Sequence, residues 1–189
     1  MLVSPVDGAT TNVDRPTLMW HGRLDAAGYL LDFDGTVQHA GDTTGYTTDI
    51  LAVGTYTWTV AAYAAVGHTS AYTVTWSFTV NTQSPEIVAV APANGASEVE
   101  ITAPMVVTFS QPIEASTFAL TSSPDPGGWS VSWDGGEMAA TVTHTPFGYW
   151  WVCQLTVTAA TDLLGNPLAA APYAWSFTTG PYRIHLPWQ

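Results

Sequence analysis

The tetrapeptide Trp-Ser-Phe-Thr occurs twice in this chain, at Trp76–Thr79 and again at Trp175–Thr178. Each copy closes a stretch that opens on a related turn: Pro5-Val6-Asp7-Gly8-Ala9 in the first and Pro92-Ala93-Asn94-Gly95-Ala96 in the second. A shared opening and a shared closing restrict the chain to two similar units in tandem, since a repeat at this period is one structural unit used twice. Divided this way, 189 residues give roughly 80 to 100 per unit, enough for one small β-sandwich each. The second unit is the longer between its two motifs.

Inside each unit the apolar residues alternate. Leu18 and Trp20 share a parity, as do Tyr29, Leu31 and Phe33, then Tyr56, Trp58 and Val60, and finally Trp76, Phe78 and Val80. In the second unit the same holds for Val107 with Phe109, Val131 with Trp133, Ala140 with Val142, Cys153 with Leu155 and Val157, and Trp175 with Phe177. Period two places each set on one face of a strand, and these faces are expected to point into the core. Helical periodicity is almost absent, and Gly, Pro, Asn and Asp punctuate the runs, so the expected class is all-β. Asp34-Gly35 and Asp134-Gly135-Gly136 read as hairpin turns. Asp162-Leu163-Leu164-Gly165-Asn166-Pro167 reads as a turn whose Asp accepts backbone N–H bonds. The expected layout is a sandwich over 1–80, a short linker at 81–86 that restricts the interdomain angle, a sandwich over 87–179, and a strand-like tail over 180–189.

Three arginines (Arg15, Arg23, Arg183), no lysine and fifteen acidic residues give a net charge of −12. Nucleic acid needs several cationic contacts on its phosphates, and anionic membranes attract polybasic segments; neither is an expected partner. Trypsin-like proteases find few sites, and Pro16 shields Arg15. The lone Cys153 excludes an intramolecular disulfide and is expected in the core as a small apolar residue. No Asn-X-Ser/Thr sequon occurs at Asn12, Asn81, Asn94 or Asn166. No apolar run reaches the length of a membrane-spanning helix, so no membrane insertion is expected. Met1-Leu2-Val3-Ser4-Pro5 is not a signal peptide, which reads as a mature form or an excised fragment.

Residues 85–179 resemble the bacterial Ig-like domain of S-layer and other cell-surface proteins. Pro92-Ala93-Asn94-Gly95, Val107-Thr108-Phe109-Ser110, Asp162-Leu163-Leu164-Gly165-Asn166-Pro167-Leu168 and Trp175-Ser176-Phe177-Thr178-Thr179, in that order, carry the resemblance. Cys153 departs from it where that family tends to carry an aromatic. Residues 1–80 are more loosely similar to a fibronectin type III or related Ig-like domain, through Pro16-Thr17-Leu18-Met19-Trp20, Tyr29 and Leu51-Ala52-Val53-Gly54-Thr55-Tyr56-Thr57-Trp58. Tyr56 stands where such a fold places its tyrosine corner. The resemblance implies two tandem immunoglobulin-like sandwiches with scaffolding or adhesive work outside the cell, and no catalysis.

Candidate sites are weighed against that background. Asp32-Phe33-Asp34-Gly35 has the start of a calcium loop but lacks its later ligands, so a hairpin is the better reading, with Asp42 and Asp49 near enough only for an irregular site. Asp134 and Glu137 flank a solvated turn, a poor place to tune a catalytic carboxylate. His21, His39, His68, His144 and His185 show no metal-ligand spacing. No nucleophile elbow or phosphate loop is present. Catalytic, cofactor and metal residues are therefore expected to be none.

Two features point to contact rather than chemistry. If Trp150 and Trp151 lie on one strand, one indole must face outward, ready to stack on a sugar or pack on a protein. After Gly180-Pro181 the chain alternates Tyr182, Ile184 and Leu186 with Arg183 and His185, ending Pro187-Trp188. This tail either folds back on its own domain or adds to another subunit's open edge, with Tyr182, Ile184, Leu186 and Trp188 as contact residues. The expected function is a non-enzymatic extracellular structural or adhesive protein, self-associating or binding a cell-surface partner. The alternative is a carbohydrate-binding or spacer module of a larger secreted enzyme, with glycan as partner.

Overall fold

The computed structural model describes residues 1–181. The chain divides into two compact units, the first spanning Met1–Gln83 and the second beginning at Ser84. Described residues are almost wholly strand and turn, with one 3-10 turn at Ala115–Thr117, and the all-β class holds.

The first unit contains β1 (Leu2–Ser4), β2 (Ala9–Thr11), β3 (Thr17–Trp20), β4 (Gly28–Phe33), β5 (Thr36–Gly41), β6 (Gly45–Thr47), β7 (Gly54–Tyr63) and β8 (Trp76–Val80). They form two sheets, ordered β1-β3-β6 and β2-β8-β7-β4-β5. Leu18, Leu31, Trp58, Phe78 and Val80 are buried between them. Those are residues that alternation placed inward, because side chains of one parity leave a strand on one side. Asp34 and Gly35 both take positive φ, 49° and 79°, as a two-residue primed turn requires. The Tyr56 hydroxyl donates to the Ala52 carbonyl at 3.0 Å, tying the start of β7 to the chain four residues upstream as a tyrosine corner does.

The second unit contains β9 (Ile87–Ala91), β10 (Ala96–Val99), β11 (Met105–Phe109), β12 (Ala119–Ser123), β13 (Ser130–Trp133), β14 (Ala139–Thr143), β15 (Val152–Ala159) and β16 (Tyr173–Thr179). Its sheets run β13-β14-β11-β9 and β10-β16-β15-β12. That division is the one used by constant-type immunoglobulin domains, with the short β10 added in parallel beside β16. Val107, Phe109, Val142, Leu155, Val157, Trp175 and Phe177 form the core, and Cys153 is buried among them. Val131 departs from expectation: it is 44% exposed on the outermost strand of its sheet, while Trp133 on the same face packs against Phe109 and Phe118.

The repeated motifs meet in space. In the first unit the Ser77 amide donates to Asp7 Oδ1 at 2.8 Å while the Gly8 amide donates to the Ser77 carbonyl at 2.8 Å. In the second the Ser176 amide donates to Asn94 Oδ1 at 3.0 Å and the Gly95 amide to the Ser176 carbonyl at 2.7 Å. Opening turn and closing strand are therefore two halves of one clasp. The serine supplies both backbone groups, while Trp and Phe of the same motif turn toward the core.

Candidate functional site

In the second unit Phe109 pairs with Ile87 at one end of the sandwich and Met105 with Val142 at the other. That far end carries the segment from His144 to Trp151, the loop before β13 and the chain after β16. Phe147 is its buried anchor, 4.3 Å from the His144 ring and 5.7 Å from Phe177 between centroids. The turn that follows is held by Thr179, itself fully buried. The Thr179 hydroxyl donates to the Gly148 carbonyl at 2.7 Å and accepts from the Trp151 amide at 2.8 Å, and the Thr179 amide donates to the Trp151 carbonyl at 2.9 Å. The turn as built takes glycine at 148, since a Cβ there would run into the Trp151 indole.

Clamped this way, the turn pushes apolar surface outward. Tyr149, Trp150, Trp151 and Val152 are all exposed, Trp150 at 64%. Trp150 also has φ of 61°, left-handed backbone that a bulky side chain rarely adopts and that costs roughly 1–2 kcal/mol. Trp129, also exposed, donates its indole N–H to Asp125 Oδ1 at 2.8 Å and lies 5.7 Å from the His144 ring. The premise that Trp150 and Trp151 share a strand is not met: β15 begins at Val152, and both indoles come from the turn. Their exposure follows from turn geometry, which alternation cannot foresee.

Other candidates fall elsewhere. Asp34 occupies its hairpin turn. Asp134 Oδ1 accepts from the Met138 and Ala139 amides at 2.8 and 3.0 Å, while Glu137 carries the turn's positive φ of 54°. Asp162, nearly buried, accepts from the Leu164 and Asn166 amides at 2.9 and 2.8 Å, as the turn sequence required. Burial pushes the Cys153 thiol up to about 11, which disfavours the nucleophilic thiolate. Among the described residues no three His, Cys, Asp or Glu side chains converge as metal ligands, and no helix is long and apolar enough to cross a membrane. The proposed contact residues Tyr182, Ile184, Leu186 and Trp188, together with His185, lie outside the described residues.

The two-sheet sandwich of the second unit places it in a known class: the chain belongs to the bacterial Ig-like domain family, whose model matches residues 81–179. In fold it is similar to the fibronectin(III)-like modules of Clostridium thermocellum CbhA, at 12% identity and a TM-score of 0.45, covering 100% of this chain and 98% of that one. It is also similar to the D00-D0 domain of intimin, at 16% identity and a TM-score of 0.40, covering 93% and 98%. No curated protein matches the chain by sequence.

Proposed function

We propose that this chain is a non-enzymatic, extracellular structural or adhesive unit that works by protein–protein contact, self-association included. The observation that carries this reading is Trp150, a large apolar side chain presented to solvent from strained backbone by a clamped turn. A side chain kept exposed against its own backbone preference belongs to a contact site more readily than to packing, and Trp is enriched in interface cores. The C-terminal residues Tyr182, Ile184, Leu186 and Trp188 supply the second contact. Light scattering and negative-stain microscopy on the full chain and on a version ending at Pro181 test it. Concentration-dependent assemblies that vanish on truncation support the reading, whereas monomers throughout overturn self-association.

A second reading, a carbohydrate-binding module of a secreted enzyme, draws on the same exposed indole, because a sugar ring stacks on an indole face. A pull-down on insoluble glycans that loses its signal in Trp150→Ala supports it and displaces the first reading.

A further inference from the structure

The first unit is open along one side. β5 ends the five-stranded sheet and β6 ends the three-stranded one. Beside them lies a groove of about 370 Å³ whose lining includes Phe33, Tyr46, Leu51, Asp34, Asp49 and Thr48. Thr48 is 1% exposed, and its hydroxyl has no hydrogen-bond partner among the described residues. An unpaired buried hydroxyl costs about 1–3 kcal/mol, so the groove wall is not fully satisfied as it stands.

Natural sheets protect an edge by keeping it short, charged, bulged or broken by proline. The other outer strands follow that rule. β1, β2 and β6 are three residues each and β10 and β13 four. Pro85 and Pro92 bracket β9, and Pro124 follows β12 directly. β5 is the most open of them, with six residues, Thr36-Val37-Gln38-His39-Ala40-Gly41, and no proline, lysine, arginine or carboxylate among them; its one irregularity, the bulge at Ala40, falls near its end and leaves Thr36–His39 in regular register. Because Asp34-Gly35 is a two-residue turn, Phe33 and Thr36 close the hairpin as a hydrogen-bonded pair, and the pattern repeats at Leu31 and Gln38. The intervening Val37 and then His39 accordingly turn their backbone N–H and C=O away from β4. The Ala40 carbonyl beyond them is already taken by the Thr43 hydroxyl at 3.0 Å.

We propose that this edge and groove accept the C-terminal segment of a second copy of this chain, added as a further strand beside β5. The proposal rests on the self-association reading above and names its acceptor. The chain beyond Pro181, residues 182–189, is long enough to lie along all of β5. Added as a strand, it presents Tyr182, Ile184 and Leu186 on one side, matching the apolar lining from Phe33, Tyr46 and Leu51, with Arg183 and His185 on the other. Donor and acceptor are different surfaces, so the contact is head-to-tail and propagates until it closes into a ring or continues as a filament.

The full chain, with three variants, tests this by analytical ultracentrifugation. Val37→Pro removes an N–H that faces away from β4 and leaves the β4–β5 ladder intact. Val37→Lys keeps that N–H and places a charge on the edge, guarding against a folding defect in the proline variant. Leu186→Asp spoils the donor and leaves the acceptor whole. The expected result is polymer for the full chain, at least tenfold weaker association for each variant alone, and dimers without longer species when Val37→Pro and Leu186→Asp are mixed. The mixture has one good donor and one good acceptor, so it can join only once. If truncation at Pro181 abolishes association while both Val37 variants associate as the parent does, β5 is not the acceptor, although self-association stands. If the full chain stays monomeric, or truncation changes nothing, the self-association reading falls and this assignment falls with it.

Discussion

At the scale of single residues, Trp150 separates stability from use. Its backbone sits at φ of 61°, where glycine is at ease and an aromatic is not, and its indole is largely in water. Replacing it with glycine removes the left-handed penalty and loses little burial, offset by the extra freedom glycine gives the unfolded chain. Trp150→Gly is therefore expected to be as stable as the parent or more stable by up to about 1 kcal/mol in urea unfolding. A loss beyond about 1 kcal/mol would mean that the indole packs, and the presentation argument would fail. Gly148→Ala goes the other way: the new Cβ meets the Trp151 ring, so the turn must open. It is expected to unfold at lower urea with a red-shifted tryptophan emission, while unchanged emission would contradict the packing described. What sequence made legible here was residue type, with two adjacent tryptophans that had to be explained. The reason for their exposure was hidden, because it lies in Thr179, 28 residues away, whose hydroxyl clamps the turn.

Among the elements, the strands foreseen from sequence are those with large apolar residues on one face, such as β4, β7, β11, β15 and β16. Those not foreseen are β1, β2, β5, β6, β9, β10 and β12, most of them short and all but β9 and β12 lacking clear alternation. These strands lie on the outside of their sheets, half covered, so selection for an inward apolar face is weak and periodicity fades. β5, the edge proposed above as the acceptor, was legible only through the Asp34-Gly35 turn that precedes it and not through its own residues. The duplicated motifs were legible as a repeat, yet their contact was not, since Asp7 and Ser77 are 70 positions apart and Asn94 and Ser176 are 82. The clasp has its own expected cost. Asp7→Ala and Asn94→Ala each leave the amide of the closing serine without its side-chain acceptor, near solvent that replaces part of the bond. Each is expected to destabilise its own unit by about 1 kcal/mol. The two sites share no partner, so the double variant should equal the sum within about 0.5 kcal/mol. Calorimetry on the single and double variants checks this, and a strongly non-additive double would show that the clasps are coupled.

For the whole molecule, electrostatics opposes the assembly proposed above. Each copy carries a net charge of −12 and a sequence pI near 4.3, so two copies at neutral pH repel over any approach shorter than the screening length. Only three arginines stand against fifteen carboxylates, and a solvated ion pair between copies is worth about 1 kcal/mol or less. The repulsion involves every carboxylate and the attraction only a few, so the net term is expected to be unfavourable and salt-sensitive. Screening shortens from about 30 Å at 0.01 M to about 8 Å at 0.15 M salt, and the long-range repulsion fades first. Association of the full chain is therefore expected to strengthen several-fold between those two salt concentrations. Light scattering across the salt series checks the sign. If association weakens with added salt instead, then local ion pairs rather than the apolar groove and the β5 backbone hold the copies together, and the contact would have to be relocated to an acidic surface that meets Arg183 directly.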